Sequence, residues 1–358
     1  MQFRPISVED LPVLRRFYAR QGRQETCVAQ TAFFKWQFID PCDLFGREST
    51  CFWAAFEDDE IVAIAVATPG SFFLNGNRVS GCWHQEWIGE KPGAAFSLMK
   101  RQSEINDFLG IATQNIDSAV ALDGIRKLIW TEVERLIAVI DPKKTLEFVF
   151  DRAPRTLAYL RNIAKLPPKS DPGSHENVVR FDSIYDTHWA NVSRQFSFTL
   201  DRNAEVMNWR YSDHPMFDYC RMLFQSRAGN VYYVWRLEDA TGRDGVVARI
   251  CEVIGAPEAI SHTFQHFRHV LAEQNVIFAD FSCTNHIVNA ALVHGGMHPH
   301  VLVGGTDLAR LLQPVENRPE KRLNFSFSFN EKISPDGIFN YHNAYITRGD
   351  ANQDRPLP

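Results

Sequence analysis

Two hydrophobic periods run along this chain, and they meet most clearly at residues 81–127. In GCWHQEWIG, Cys82, His84, Glu86 and Ile88 alternate with Trp83, Gln85 and Trp87, the two-residue period of a strand. The turn Glu90-Lys91-Pro92-Gly93-Ala94-Ala95 then opens AAFSLMKRQSEIND, where Phe96, Met99 and Ser103 recur at helical spacing. FLGIATQ follows as a short buried strand, and Asn115 stands where it caps a second helix, SAVALDGIRKL. The unit is strand, turn, helix, strand, helix.

Upstream, MQFRPI predicts a strand and Ser7 an N-cap, with Glu9 and Asp10 in the first turn of the helix EDLPVLRRFYARQ. Thr31 caps a short helix carrying FFKWQFIDP. CFWAAFEDDEIVAIAVATP predicts two strands around an acidic turn at Asp58-Asp59, and SFFLNGNRV a further strand with a turn at Asn75-Gly76-Asn77. After residue 127 come a strand in TEVERLIAVIDP, a helix in KTLEFVFDRAPRTLAYLRNIAK and a linker in LPPKSDPGSHEN.

The second half repeats the first. VMNWRYSDHP matches FFKWQFIDP, so that Trp209, Arg210 and Tyr211 stand where Trp36, Gln37 and Phe38 stand. YCRMLFQS and NVYYVWRLEDATG predict a hairpin, and VVARICEVIG a strand ending in Ile-Gly, as the earlier one does at Ile88-Gly89. After the turn Ala256-Pro257-Glu258, a helix in AISHTFQHFRHVLAEQ and a strand in VIFADFSCTN lead to Asn285 and a helix in HIVNAALVHGG. The paired tryptophans lie 173 positions apart, the Ile-Gly pairs 166 and the asparagines 170. Three landmarks in one order predict two copies of one α/β unit of about 150 residues. The expected division is a domain at 1–165, a second at 176–345 and a tail at 346–358.

Composition supports two cores, since 358 residues exceed one usual domain and the hydrophobic fraction is 45%. The net charge of −5 comes from well-mixed charges and gives no footprint for nucleic acid. No apolar run reaches the roughly 18 residues that span a bilayer, and the first residues lack a signal-peptide core, so the cytoplasm is the expected location. The seven cysteines are scattered and free of C-x-x-C, which argues against a disulfide framework or a zinc site, and no metal is expected.

A glycine-containing turn that enters a helix gathers backbone N–H groups at the positive end of the helix dipole, which suits a phosphate or pyrophosphate. The turn at 90–95 has neither G-x-G-x-x-G nor the P-loop pattern. With these residues in view, each half resembles a GNAT domain, the fold of acyl-CoA-dependent N-acyltransferases. The resemblance lays the turn over (R/Q)-x-x-G-x-(G/A), with Lys91 at the basic position, Ala94 where glycine is usual and Phe96 last. It implies contacts to coenzyme A from Trp87, Ile88, Gly89, Lys91, Gly93, Ala94, Ala95, Phe96 and Asn115. The second turn, Gly255-Ala256-Pro257-Glu258, lacks the basic residue and adds a carboxylate, so the first copy is the expected acyl-CoA site.

The pieces FKWQFIDP, NWRYSDHP and YITRGDANQDRP look like the two-domain GNAT proteins of bacterial surface-polysaccharide pathways. That resemblance implies an α/β fold of two tandem domains, each a mixed, mostly antiparallel sheet flanked by helices. It also implies transfer of a 3-hydroxybutanoyl or acetyl group to the amine of a nucleotide-linked aminosugar, of the dTDP-3-amino-3,6-dideoxyhexose type. Two alternatives stand beside it: an aminoacyl-tRNA-dependent peptide-bridge aminoacyltransferase, and a non-catalytic GNAT-fold binding or scaffold protein.

Acyl transfer from a thioester to an amine needs a deprotonated amine, a stabilised carbonyl oxygen and a protonated leaving thiolate. Strict alternation places His84 and Glu86 on one strand face, where either can take the ammonium proton or the two can simply bond each other. A backbone N–H within 87–89 is expected to meet the carbonyl oxygen if the strand bulges there. Direct transfer needs no nucleophile, in keeping with the lack of a Cys/His or Ser/His/Asp signature. Arg210 and Tyr211 are candidate acceptor contacts, while Trp209 reads as core because Trp36 repeats it. His262, His266 and His269 share a helix face, a spacing open to a metal or to plain solvation.

Overall fold

The computed structural model describes residues 1–113, 129–149, 153–165, 173–240, 244–300, 324–330 and 341–350, with single positions at Val120, Asp123 and Ile333. Asn115, the helix it is expected to cap, and the tail beyond 350 lie outside the described residues. The strands are β1 (Gln2–Pro5), β2 (Trp53–Glu57), β3 (Glu60–Leu74), β4 (Asn77–Gly89), β5 (Phe108–Thr113), β6 (Ile129–Glu132), β7 (Glu134–Val139) and β8 (Ser174–Asn177). They continue with β9 (Phe198–Leu200), β10 (Cys220–Ser226), β11 (Gly229–Asp239), β12 (Val246–Gly255), β13 (Val276–Cys283), β14 (His298–Pro299), β15 (Asn324–Phe329) and β16 (Ala344–Tyr345). The longer helices are α1 (Leu11–Arg20), α2 (Pro92–Ile105), α3 (Pro154–Ile163), α4 (Ser183–Val192), α5 (Pro257–Glu273) and α6 (His286–His294).

Local chemistry accounts for most of these elements. Asp58 and Asp59 take positive φ of 49° and 63°, and Asn75 and Gly76 take 50° and 81°. Two left-handed residues in a row match the twist of a tight hairpin, and Asp, Asn and Gly tolerate that conformation best. Between these turns β3 runs unbroken through Pro69, where two separate strands are expected from sequence. Pro69 sits where β2 has ended and β9 has not begun, so a missing N–H is tolerated on that edge. At α6 the Asn285 side chain accepts the N–H groups of Ile287 at 3.0 Å and Val288 at 2.9 Å, the expected cap.

Two mixed, mostly antiparallel sheets result. The first has the order β1-β2-β3-β4-β5-β15-β6, with β9 on β3 and β16 on β9; the second has the order β14-β7-β13-β12-β11-β10-β8. In the first, α1 and the helical segment after Thr31 cover one face and α2 the other. In the second, α5 and α6 cover one face.

The sheets trade strands. TEVERLIAVIDP, expected as one strand, breaks at buried Val133: β6 pairs with β15 in the first sheet, whereas β7 pairs with β13 and β14 in the second. The late strand β15 in turn fills the place between β5 and β6. The first sheet is thus completed by a strand from late in the chain, and the second by a strand that follows directly on β6 of the first.

The repeated tryptophans close the junction. Trp36 lies in the π-helical turn Lys35–Ile39 and Trp209 in its counterpart Asn208–Ser212. The Nε1 of Trp36 donates to the Trp209 carbonyl at 2.8 Å, the Nε1 of Trp209 donates to the Trp36 carbonyl at 2.7 Å, and the rings stack at 5.5 Å. Both are buried, as their repetition in the sequence suggests.

Replacing either indole with phenylalanine keeps the ring packing and leaves one buried carbonyl without its donor. Trp36→Phe and Trp209→Phe are each expected to lower unfolding free energy by about 1–3 kcal/mol in urea titrations. Because they share one contact, the double variant is expected to lose less than the sum.

Candidate active site

The centre of the first sheet carries an irregularity. β3 and β4 pair residue for residue from Leu74 and Asn77 to Ala67 and His84, but the partner of Val66 is Glu86. Gln85 is the extra residue of a β-bulge. Ala67 and Val66 are consecutive in β3 and face opposite ways, so their partners do too. His84 follows Ala67 to the α2 side, where Ala63 and Ala65 pack with Leu98 and Met99. Glu86 follows Val66 to the α1 side, where the hydroxyl of Tyr18 donates to its Oε2 at 2.7 Å and Arg23 pairs with its Oε1. The expectation that His84 and Glu86 share a face is therefore corrected, because period-two alternation fails across a bulge.

Their environments differ as well. His84 is 3% exposed, and among the described residues neither ring nitrogen has a hydrogen-bond partner. Burial pushes its imidazole down to about 4, so it is neutral at pH 7 and takes a proton from an amine poorly. Glu86 is half-buried, with its side chain 9% exposed beside the exposed Arg23. Tyr18 and Arg23 carry no sequence motif, and only the fold brings them to Glu86.

Past the bulge, β4 parts from its parallel neighbour. The pairing of β4 with β5 ends at His84 and Ile111, and residues 85–88 become half-buried and Gly89 exposed after a run of buried positions. Among the described residues no strand lies on that edge. The root of this wedge is tight: the Trp83 ring lies over Gly110, where an added Cβ would stand 2.3 Å from it. At its mouth Lys91 precedes α2, Pro92 occupies the first turn, and a Cβ on Gly93 would meet nothing within 4 Å. Ala94 is buried, Ala95 packs on Gly89, and Phe96 is 49% exposed. Trp87 packs on the α2 side and Ile88 on the α1 side. Lys91 is engaged in an ion pair with Glu57.

The second sheet repeats the device with another outcome. Val234 pairs with Glu252 and Trp235 with Ile250, so Cys251 is the bulged residue, 166 positions after Gln85. The pairing of β12 with its parallel neighbour β13 ends at Arg249 and Asp280. Yet residues 251–255 are all buried. Glu252, the counterpart of Glu86, lies 3.0 Å from the Nε of Arg202 at both oxygens and accepts the hydroxyl of Tyr211 at 2.8 Å. Tyr211 is thus 2% exposed inside the second half, and Arg210, 9% exposed, lies 5.8 Å from the rings of both Trp36 and Trp209. His266 of α5 packs beside Phe224 and meets His175 of the edge strand β8 at 3.0 Å. Among the described residues no three His, Cys, Asp or Glu side chains stand together as metal ligands do.

No protein-family model matches the sequence, and no curated protein matches it. Solved structures do. The N-myristoyltransferase of Saccharomyces cerevisiae, solved with bound myristoyl-CoA and inhibitors, aligns at a TM-score of 0.54 and 10% identity over 98% of this chain and 86% of its own. A GCN5-related N-acetyltransferase from Anabaena variabilis aligns at 0.55 and 11% identity over 90% and 72%. A probable N-acyltransferase from Enterococcus faecalis aligns at 0.52 and 11% identity over 78% and 65%. The chain has the GNAT-type fold of these proteins, as the resemblance in its halves implies.

The buried His84 makes stability depend on pH. Its folded value of about 4 lies below the ordinary value of 6.5, so as pH falls the unfolded chain binds the proton first. Stability is complete above pH 6.5 and declines toward pH 4, by about 3 kcal/mol at most. In His84→Leu that component is expected to vanish, as checked by urea unfolding from pH 7 to pH 4.

Proposed function

We propose that the chain is an acyl-CoA-dependent N-acyltransferase, with the donor held in the wedge beside β4 and a nucleotide-linked aminosugar as acceptor. The observation that carries this reading is the open edge of residues 85–89, past a bulge and beside a helix N-terminus. The Gly93 N–H at the start of α2 suits the pyrophosphate of the donor and Gly93 leaves room for it, while the Glu90 and Ala94 N–H groups are given to the Val62 and Lys91 carbonyls. A backbone N–H within 87–89 suits the thioester oxygen as charge builds on it. Glu86 takes the proton of the acceptor ammonium, directly or through a water, a role that the buried, weakly basic His84 fills poorly. The freed amine nitrogen bonds to the thioester carbon, the C–S bond breaks, and the second proton, which the nitrogen sheds on becoming an amide, goes to the leaving thiolate.

The choice of acceptor and acyl group, 3-hydroxybutanoyl or acetyl onto a dTDP-3-amino-3,6-dideoxyhexose, rests on the likeness of 34–41, 208–215 and 345–356 to surface-polysaccharide acyltransferases. Among the described residues no helix is long and apolar enough to cross a membrane.

Calorimetric titration with coenzyme A, acetyl-CoA and 3-hydroxybutanoyl-CoA is expected to give micromolar binding, tightest for the hydroxyacyl form. Gly93→Asp places a negative charge at an uncrowded position and is expected to weaken donor binding about tenfold or more. Glu86→Gln is expected to lower kcat about 100-fold or more while keeping donor affinity. Absence of binding by all three donors would turn the reading to a tRNA-dependent transferase or a scaffold.

A further inference from the structure

The wedge of the second copy is filled by the chain itself. Residues 344–350 run through it. β16 pairs with β9, the Thr284 N–H donates to the Ile346 carbonyl at 3.0 Å, and Thr347 forms a bridge with Cys283 at the end of β13. On the β12 side, the Tyr345 hydroxyl accepts the Val253 N–H at 3.0 Å, and it lies 2.9 Å from the Val253 carbonyl and 3.0 Å from Glu252 Oε2. Asp350 pairs with Arg202, which also holds Glu252, and accepts the Thr347 N–H at 2.8 Å. By the 166-residue repeat, Val253 is the counterpart of Trp87 and Glu252 of Glu86. The Val253 backbone and the Glu252 carboxylate are both engaged by this segment.

We infer that the second wedge is a binding site for an extended peptide, that its occupant is the chain's own segment 344–350, and that each chain consequently takes one acyl-CoA. The count rests on the acyl-CoA reading of the first wedge; the occupancy does not. The fit is close, since a Cβ on Gly349 would stand 2.1 Å from the Tyr211 hydroxyl and 3.3 Å from Glu252 Oε1. Withdrawing the segment would strip partners from Arg202 and Glu252, whose side chains are 0% and 2% exposed, and uncompensated buried charge is strongly unfavourable. A tethered occupant also competes at a high effective concentration with any free ligand. The α5 turn adds Glu258 where an incoming pyrophosphate would need positive charge.

Two measurements on the full chain test this. Titration with acetyl-CoA is expected to give one site per chain, and two sites would overturn the inference. Hydrogen exchange over 251–255 is expected to be slow and unchanged by saturating acetyl-CoA; added protection there would also overturn it. Gly349→Ala is expected to dislodge the segment and speed exchange over 251–255 about tenfold or more. Gly349→Ala with Tyr211→Phe removes the clashing oxygen and is expected to restore slow exchange. Should Gly349→Ala not fold, Tyr345→Phe removes only the hydroxyl and is expected to speed exchange at Val253. Unchanged exchange in Gly349→Ala, or in Tyr345→Phe should Gly349→Ala not fold, would refute the occupancy. Absence of any acetyl-CoA binding would instead remove the donor reading and leave the exchange result to decide what fills the wedge.

Discussion

One extra residue in the central strand of each sheet governs the site and its degenerate twin. The register of β3 skips Gln85 in β4 and that of β11 skips Cys251 in β12, and past each bulge the strand no longer pairs with the parallel one beside it. Divergence costs ladder hydrogen bonds, so the backbone groups set free must find other partners. In the first sheet they face an edge that is partly open. In the second they meet the Tyr345 hydroxyl. The bulge also exchanges the faces of the residues beyond it, which is how Glu86 comes to lie with Tyr18 and Arg23 while His84 stays under α2.

Two kinds of contact hold the copies together. The Trp36 and Trp209 exchange is nearly symmetric, with each indole satisfying the other's carbonyl in a buried place where a missing partner is expensive. The strand trade, with β7 in the second sheet and β15 in the first, makes the halves interdependent along the backbone. Within the second half, Arg202, Glu252 and Asp350 form a buried network with Tyr211 and Tyr345. Such a network offsets its desolvation only when the remaining donors and acceptors are also satisfied, and the two hydroxyls serve Glu252 in that way.

Much of the framework was legible in the sequence because it depends on near neighbours. Paired Asp58-Asp59 and Asn75-Gly76 announce hairpins, Asn285 announces a helix, and period-two patterns locate β4 and β12. The 166-residue spacing already paired Glu86 with Glu252, although their different fates are invisible in it. Lys91 was legible as a basic residue at a helix entrance, but its ion pair with Glu57 was not.

The sequence alone determined the two α/β copies, their bulge-bearing strands and the turn that enters α2, since residue type and spacing dictate local backbone conformation. Tertiary structure alone decided that His84 and Glu86 face apart, that β7 and β15 change sheets, and that 344–350 fills the second wedge. Each of these turns on which distant strand lies alongside. Pairing partners are chosen by the competition of all exposed edges for hydrogen bonds and apolar cover, a property of the assembled chain.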